Sequence, residues 1–78
     1  MDVTAEEARR RVNCQVVTEL GTGLAARDPE LVIAGELIVW RVPIVLSFRV
    51  NREPVCQPVA RMVLAAMGDE RTEAHWVA

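Results

Sequence analysis

The stretch Leu31–Val50, LVIAGELIVWRVPIVLSFRV, decides how this chain folds. It is almost continuously apolar, yet Gly35, Glu36, Arg41 and Pro43 interrupt it. A bilayer span needs about 20 apolar residues with few charges. Here a glutamate, an arginine and a proline would sit near mid-bilayer, where ionised groups are costly. No membrane association is therefore expected. The stretch is rich in valine and isoleucine, which suit a pleated, half-buried surface. Gly35-Glu36 has the Gly-X form of a two-residue type II′ hairpin turn. A short strand, Leu31–Ala34, and a long one, Leu37–Val50, follow from that turn.

Side chains along a strand alternate between faces. The even positions of the long strand are Ile38, Trp40, Val42, Ile44, Leu46, Phe48 and Val50, all apolar. The odd positions mix Leu37, Val39, Arg41, Pro43, Val45, Ser47 and Arg49. The even face is expected to pack on a helix and the odd face to stay half-exposed. If Ala34 pairs with Leu37, Leu31 pairs with Trp40, and the short strand ends before Pro43. Proline cannot donate to a ladder and belongs at an edge or bulge, so the hairpin register and the proline agree.

Upstream, residues 3–27 read as a helix. Thr4 and Glu7 have capping-box spacing. Glu6 with Arg10 and Glu7 with Arg11 stand four apart in the favourable order. Ala5, Ala8, Val12, Val16 and Leu20 form the apolar stripe, widened by Val17 and Leu24. Gly21 and Gly23 either end the helix or weaken it, and Pro29 ends it by Arg27 at the latest. Arg9 and Asn13 fall inside the apolar arc, either at the rim of the core or as a polar pair at an interface or ligand site.

Downstream, Asn51-Arg52-Glu53-Pro54 reads as a polar turn. Residues 58–67 fit two patterns. Val59, Met62, Val63, Ala66 and Met67 form a helical stripe; as a strand, the segment pairs Val50 with Val55, Leu46 with Val59 and Val42 with Val63. The strand reading leaves Gln57 and Arg61 on the apolar face. It is preferred because residues 41–50 need a partner for their backbone groups. Met67–Arg71 then forms a turn and Glu73–Val77 a last strand. The expected fold is α+β: one domain, 1–78, with an N-terminal helix packed on an antiparallel meander of three to four strands. The alternative is αββα.

Trp40-Arg41-Val42-Pro43-Ile44, in a helix, short strand, W-x-V-x-V strand order, resembles PepSY-like α+β modules. Their D-x-x-T-G-E turn is echoed in Ala65-Ala66-Met67-Gly68-Asp69-Glu70, which lacks the leading Asp and the Thr-Gly order. The resemblance spans residues 5–77 and implies a binding or inhibitory module rather than an enzyme.

Of the 78 residues, 51% are apolar, and the chain has one Phe, two Trp and no Tyr. So much aliphatic surface is hard to hide in a small monomer, and surplus apolar surface marks protein contacts. A homo-oligomer, or a protein partner, is expected. The net charge is −2 and all nine basic residues are arginine. Nucleic-acid binding rests on many phosphate contacts, so nucleic acid is not the expected partner. Arg9-Arg10-Arg11 reads first as a solvated helix face and second as an anion contact. Cys14 and Cys56 match no zinc spacing and read as two small hydrophobes. MDVTAEEARRR has no apolar core of a signal peptide, which makes cytoplasm the expected compartment.

No catalytic set is expected. The one histidine, His75, stands near Glu70 and Glu73, but a terminal imidazole beside carboxylates reads as solvated rather than as a metal site. Cys14 and Ser47 have no base or orienting group assigned to them. Gly21-Thr22-Gly23 follows a helix, whereas phosphate loops precede one. No metal or cofactor is expected. The candidate contact residues are Arg9 and Asn13 on the helix and Val39, Arg41 and Val45 on the mixed strand face. The expected function is a non-catalytic interaction or oligomerisation module. The alternatives are a small regulatory or antitoxin-like protein contacting DNA or a toxin, and an oligomeric small-ligand binder.

Overall fold

A computed structural model describes residues 2–68 and 71–77. Among them the elements are α1 (Ala5–Leu20), β1 (Leu24–Ala26), β2 (Glu30–Ala34), β3 (Leu37–Val50), β4 (Glu53–Ala65) and β5 (His75–Val77). The fold is α+β: one N-terminal helix against an antiparallel sheet of five strands. Strand β3 is its axis. Strand β4 runs along one side of β3 and carries β5 on its far side, while β1 and β2 share the other side, one after the other. The expected turn at Asp69-Glu70 lies outside the described residues.

The helix starts where the cap residues place it: the Thr4 hydroxyl oxygen accepts the Glu7 amide at 3.2 Å. It ends at Gly21, whose φ of +91° suits a residue without Cβ and whose N–H donates to the Val17 carbonyl. The helix expected over residues 3–27 is thus shorter at its C-terminal end. The turn Thr22-Gly23 reverses the chain, and Leu24–Ala26 becomes a strand paired with Ile44–Leu46. Three residues are too few to show a strand period, which is why β1 is absent from the sequence reading.

The first hairpin matches its expected register: Ala34 faces Leu37 and Leu31 faces Trp40, with Glu30 opposite Arg41. Gly35 has φ +64° while Glu36 does not have positive φ, as a II′ turn requires. Pro43 does have a neighbour on that side, because its carbonyl accepts the Arg27 N–H at 2.9 Å. Only the donation that proline cannot make is missing there.

Residues 58–67 resolve as strand through Ala65, but with a different register from the expected one. Val50 faces Glu53, Phe48 faces Val55, Ile44 faces Ala60 and Val42 faces Met62. The turn is two residues, not four: Asn51 (φ +50°) and Arg52 (φ +70°) both adopt left-handed geometry, the type I′ pattern. Between Val45↔Pro58 and Ile44↔Ala60 the register shifts, leaving Val59 as the extra residue of a β-bulge. The bulge resets the parity of β4. Met62 and Leu64 turn inward, and Arg61 moves to the outer face opposite Pro43, which removes the buried-arginine cost of the expected register.

The core lies between the helix and the even face of β3. Val12 and Val16 pack with Val42, Ile44, Met62 and Leu64, joined by Val3, Ala8, Ala26 and Ala74. At about 1.5 Å per residue the 16-residue helix is about 24 Å long. At about 3.3 Å per residue the 14-residue β3 is about 46 Å long, matching the molecule's 45 Å long axis. The helix therefore covers about half of the apolar face. Among the described residues no helix is long and apolar enough to cross a membrane.

Candidate functional site

Both flanks of α1 are fastened by side-chain bonds to backbone. On one flank the Asn13 Oδ1 accepts the Ala26 N–H at 2.9 Å. That N–H points away from β3, so Asn13 closes the outer edge of β1. Its place in the apolar arc is explained: it is the polar residue that lets the helix lie beside an unpaired strand edge. On the other flank Gln15 makes a two-bond clamp on Ala74, donating to its carbonyl at 3.0 Å and accepting its N–H at 3.1 Å. Arg11 donates to the Thr72 carbonyl at 3.0 Å. At the helix start, the Trp40 indole N–H donates to the Val3 carbonyl at 2.8 Å. Gln15 and Arg11 were missed as positioning residues. Their four-residue spacing along one flank of the stripe is the signal that could have found them.

Three of the candidate residues meet at one place. Arg9, Asn13 and Val45 line an open hollow of about 430 Å³, together with Arg10, Arg27 and Glu6. Ala26 belongs to the helix side of the sheet and Val45 to the other, so the hollow wraps around the β1 edge. Arg10 stands 3.8 Å from Glu7 across an exposed helix face. With Glu7 beside Arg10, the guanidinium groups of Arg9, Arg10 and Arg27 against Glu6 leave this rim weakly cationic. Ser47 and Cys56 also reach it, with Oγ and Sγ 3.5 Å apart. His75 pairs with Val63, roughly 20 Å along β4 from Cys56. Cys14 and Cys56 are both free and exposed, so neither acts as a core hydrophobe.

The remaining candidates lie apart. The Arg41 guanidinium holds the Glu30 carboxylate at 2.9 Å across the β2–β3 ladder, within the chain. Val39, between Val32 and Ala65 on the odd face, is 8% exposed. Val45, between Ala25 and Pro58, is 6% exposed. Buried valines offer little area to a partner. Exposed apolar side chains cluster instead at the two ends of the even face, while Val17, Leu20, Val59, Met67, Trp76 and Val77 are exposed elsewhere. At one end stand Leu31, Ile33 (76% exposed) and Ile38, with Leu37 on the opposite face at the same hairpin. At the other stand Leu46, Phe48 and Val50.

Among the described residues no group of histidine, cysteine, aspartate and glutamate is arranged to hold a metal. Comparison of the chain with family models, curated proteins and solved structures finds no match. The likeness to PepSY-like modules therefore rests on the Trp40–Ile44 motif and the element order.

Proposed function

We propose that this chain is a non-catalytic interaction module whose partner is a second copy of itself. The observation that carries this reading is the mismatch between a ribbon of about 46 Å and a helix of about 24 Å on its apolar face. The uncovered ends expose Leu31, Ile33, Ile38, Leu46, Phe48 and Val50 in two clusters, the pattern expected of contact surface rather than of scattered single residues. The arm Phe48–Val55 extends past both β1 and β5, and a two-stranded hairpin is marginal by itself in water. Light scattering at micromolar concentration tests the reading. A dimer or larger species is expected; a stable monomer removes it.

A second reading, a small regulator or ligand binder that contacts an anion, is favoured by Arg9, Arg10 and Arg27 around the hollow. Its test is binding to a DNA duplex or to inorganic phosphate. Salt-dependent binding that is lost in Arg9→Glu with Arg27→Glu supports it, and no binding at low salt discards it.

A further inference from the structure

Resting on the self-association reading, we infer that two copies join edge to edge through β2, antiparallel about Val32. The starting point is which backbone groups point where. The Ser47 N–H bonds Gly23 and the Pro43 carbonyl bonds Arg27, so odd residues of β3 turn their backbone groups towards β1 and β2. Even residues turn theirs towards β4. On β2, Glu30, Val32 and Ala34 face odd residues of β3 and bond inward. Leu31 and Ile33 therefore turn their N–H and C=O groups outward.

The same phase assigns the outer edge of β4. Pro54, Cys56 and Pro58 lie opposite Arg49, Ser47 and Val45, so their backbone faces outward. Two of those three have no N–H. Past the bulge at Val59, β5 covers Arg61–Val63. This edge carries the devices that prevent pairing: proline, a bulge and a cover strand. Edge β2, ELVIA, has none of them. It has no proline, lysine or bulge, and its most exposed large side chain, Ile33, is 76% exposed.

The strand is complementary to itself. Turned about Val32, Leu31 of one copy faces Ile33 of the other, so each outward-bonding residue meets an outward-bonding residue. All five residues pair in that register, whereas a shift of two in either direction carries the strand ends past each other. Glu30 falls opposite Ala34, so no like charges oppose, and the Glu30 carboxylate is already held by Arg41. Leu31 and Ile33 share the helix-side face with Ile38. Pairing therefore joins two apolar ends into one floor between two helices on the same side. A strand of one charge in five offers a charged foreign peptide nothing to recognise, whereas an identical apolar strand matches it.

The test uses Val32→Cys in a Cys14→Ser, Cys56→Ser background. On the two-fold axis residue 32 forms a non-hydrogen-bonded pair with α-carbons about 4.5 Å apart, inside the disulfide range of about 4.4–6.8 Å. Mild oxidation should give a covalent dimer as the main product, with Arg49→Cys in the same background as the slow control. Ile33→Pro removes an N–H unused within the chain and should weaken dimerisation by about tenfold or more in sedimentation. A monomeric wild type overturns both the self-association reading and this inference. If the wild type is dimeric, Val32→Cys fails to cross-link, and Phe48→Asp alone dissociates the dimer, self-association stands and pairing through β2 is overturned. Should Ile33→Pro fail to fold, the cross-link decides.

Discussion

Val42 and Phe48 stand on the same face of the same strand, three pleats apart, and live in different surroundings. Val42 is fully buried beneath the helix; Phe48, just past the helix end, is 38% exposed. The parity of β3 is uniform from Ile38 to Val50, so side-chain type does not separate the covered middle from the bare ends. What separates them is the reach of α1, set by Gly21 at one end and by the cap at Thr4 at the other. One ribbon thus has two settings: its middle makes the core, and its ends stay exposed.

The widest separation should come from one charge placed in each setting. Val42→Asp buries a carboxylate without a partner, which costs several kcal/mol, comparable to the whole stability of a small domain. It should abolish the cooperative melt in circular dichroism. Phe48→Asp should keep the melt and leave the light scattering unchanged, because the β2 edge lies at the other end of the ribbon. If both variants unfold, the end of the ribbon is as tightly packed as its middle and the contrast fails.

The flanking bonds that hold the cover in place come next. Asn13→Ala strands the Ala26 N–H, and Gln15→Ala releases Ala74, each at about 1–2 kcal/mol. Denaturant midpoints should fall while oligomeric state is kept, and amide exchange should rise at Ala26 and Ala74 respectively. Unchanged exchange would mean that the helix is held by its apolar stripe alone.

Smaller effects belong to the ends. Arg52 has φ +70°, where a side chain is strained. Arg52→Gly should stabilise the arm by about 1 kcal/mol, read as a raised melting temperature; a lower one would mean that the turn is not type I′. On the outer face near the end of the arm, Ser47→Asp should change stability by about 0.5 kcal/mol or less. A loss as large as that of Val42→Asp would overturn the face assignment.

Much of this was readable from local chemistry. A two-residue Gly-X turn fixes its own register, so Ala34↔Leu37 and Leu31↔Trp40 follow from Gly35-Glu36. Thr4 and Glu7 mark the helix start because a side-chain oxygen must satisfy an orphan amide there. Other features had no local signal. An arginine in left-handed geometry at position 52 looks like any polar turn residue, so the sequence reads as a four-residue loop. The bulge at Val59 is invisible because β4 mixes polar and apolar residues in both parities. Of the candidate residues, Asn13 was marked by its misfit in the apolar arc, yet its acceptor role depends on β1, which three small or aliphatic residues do not announce. Arg41 was marked as a mid-strand charge, and its partner Glu30 became identifiable only once β2 extended one residue beyond Leu31.

The period-two apolar face of β3, the first hairpin and the helix stripe are legible in the chain, because each depends on residues close together in it. How much of that face is covered, which sheet edge is closed and which arginines share a hollow emerge only on folding. Those outcomes depend on the relative lengths of helix and ribbon and on a one-residue bulge, and both come from packing between segments far apart in sequence.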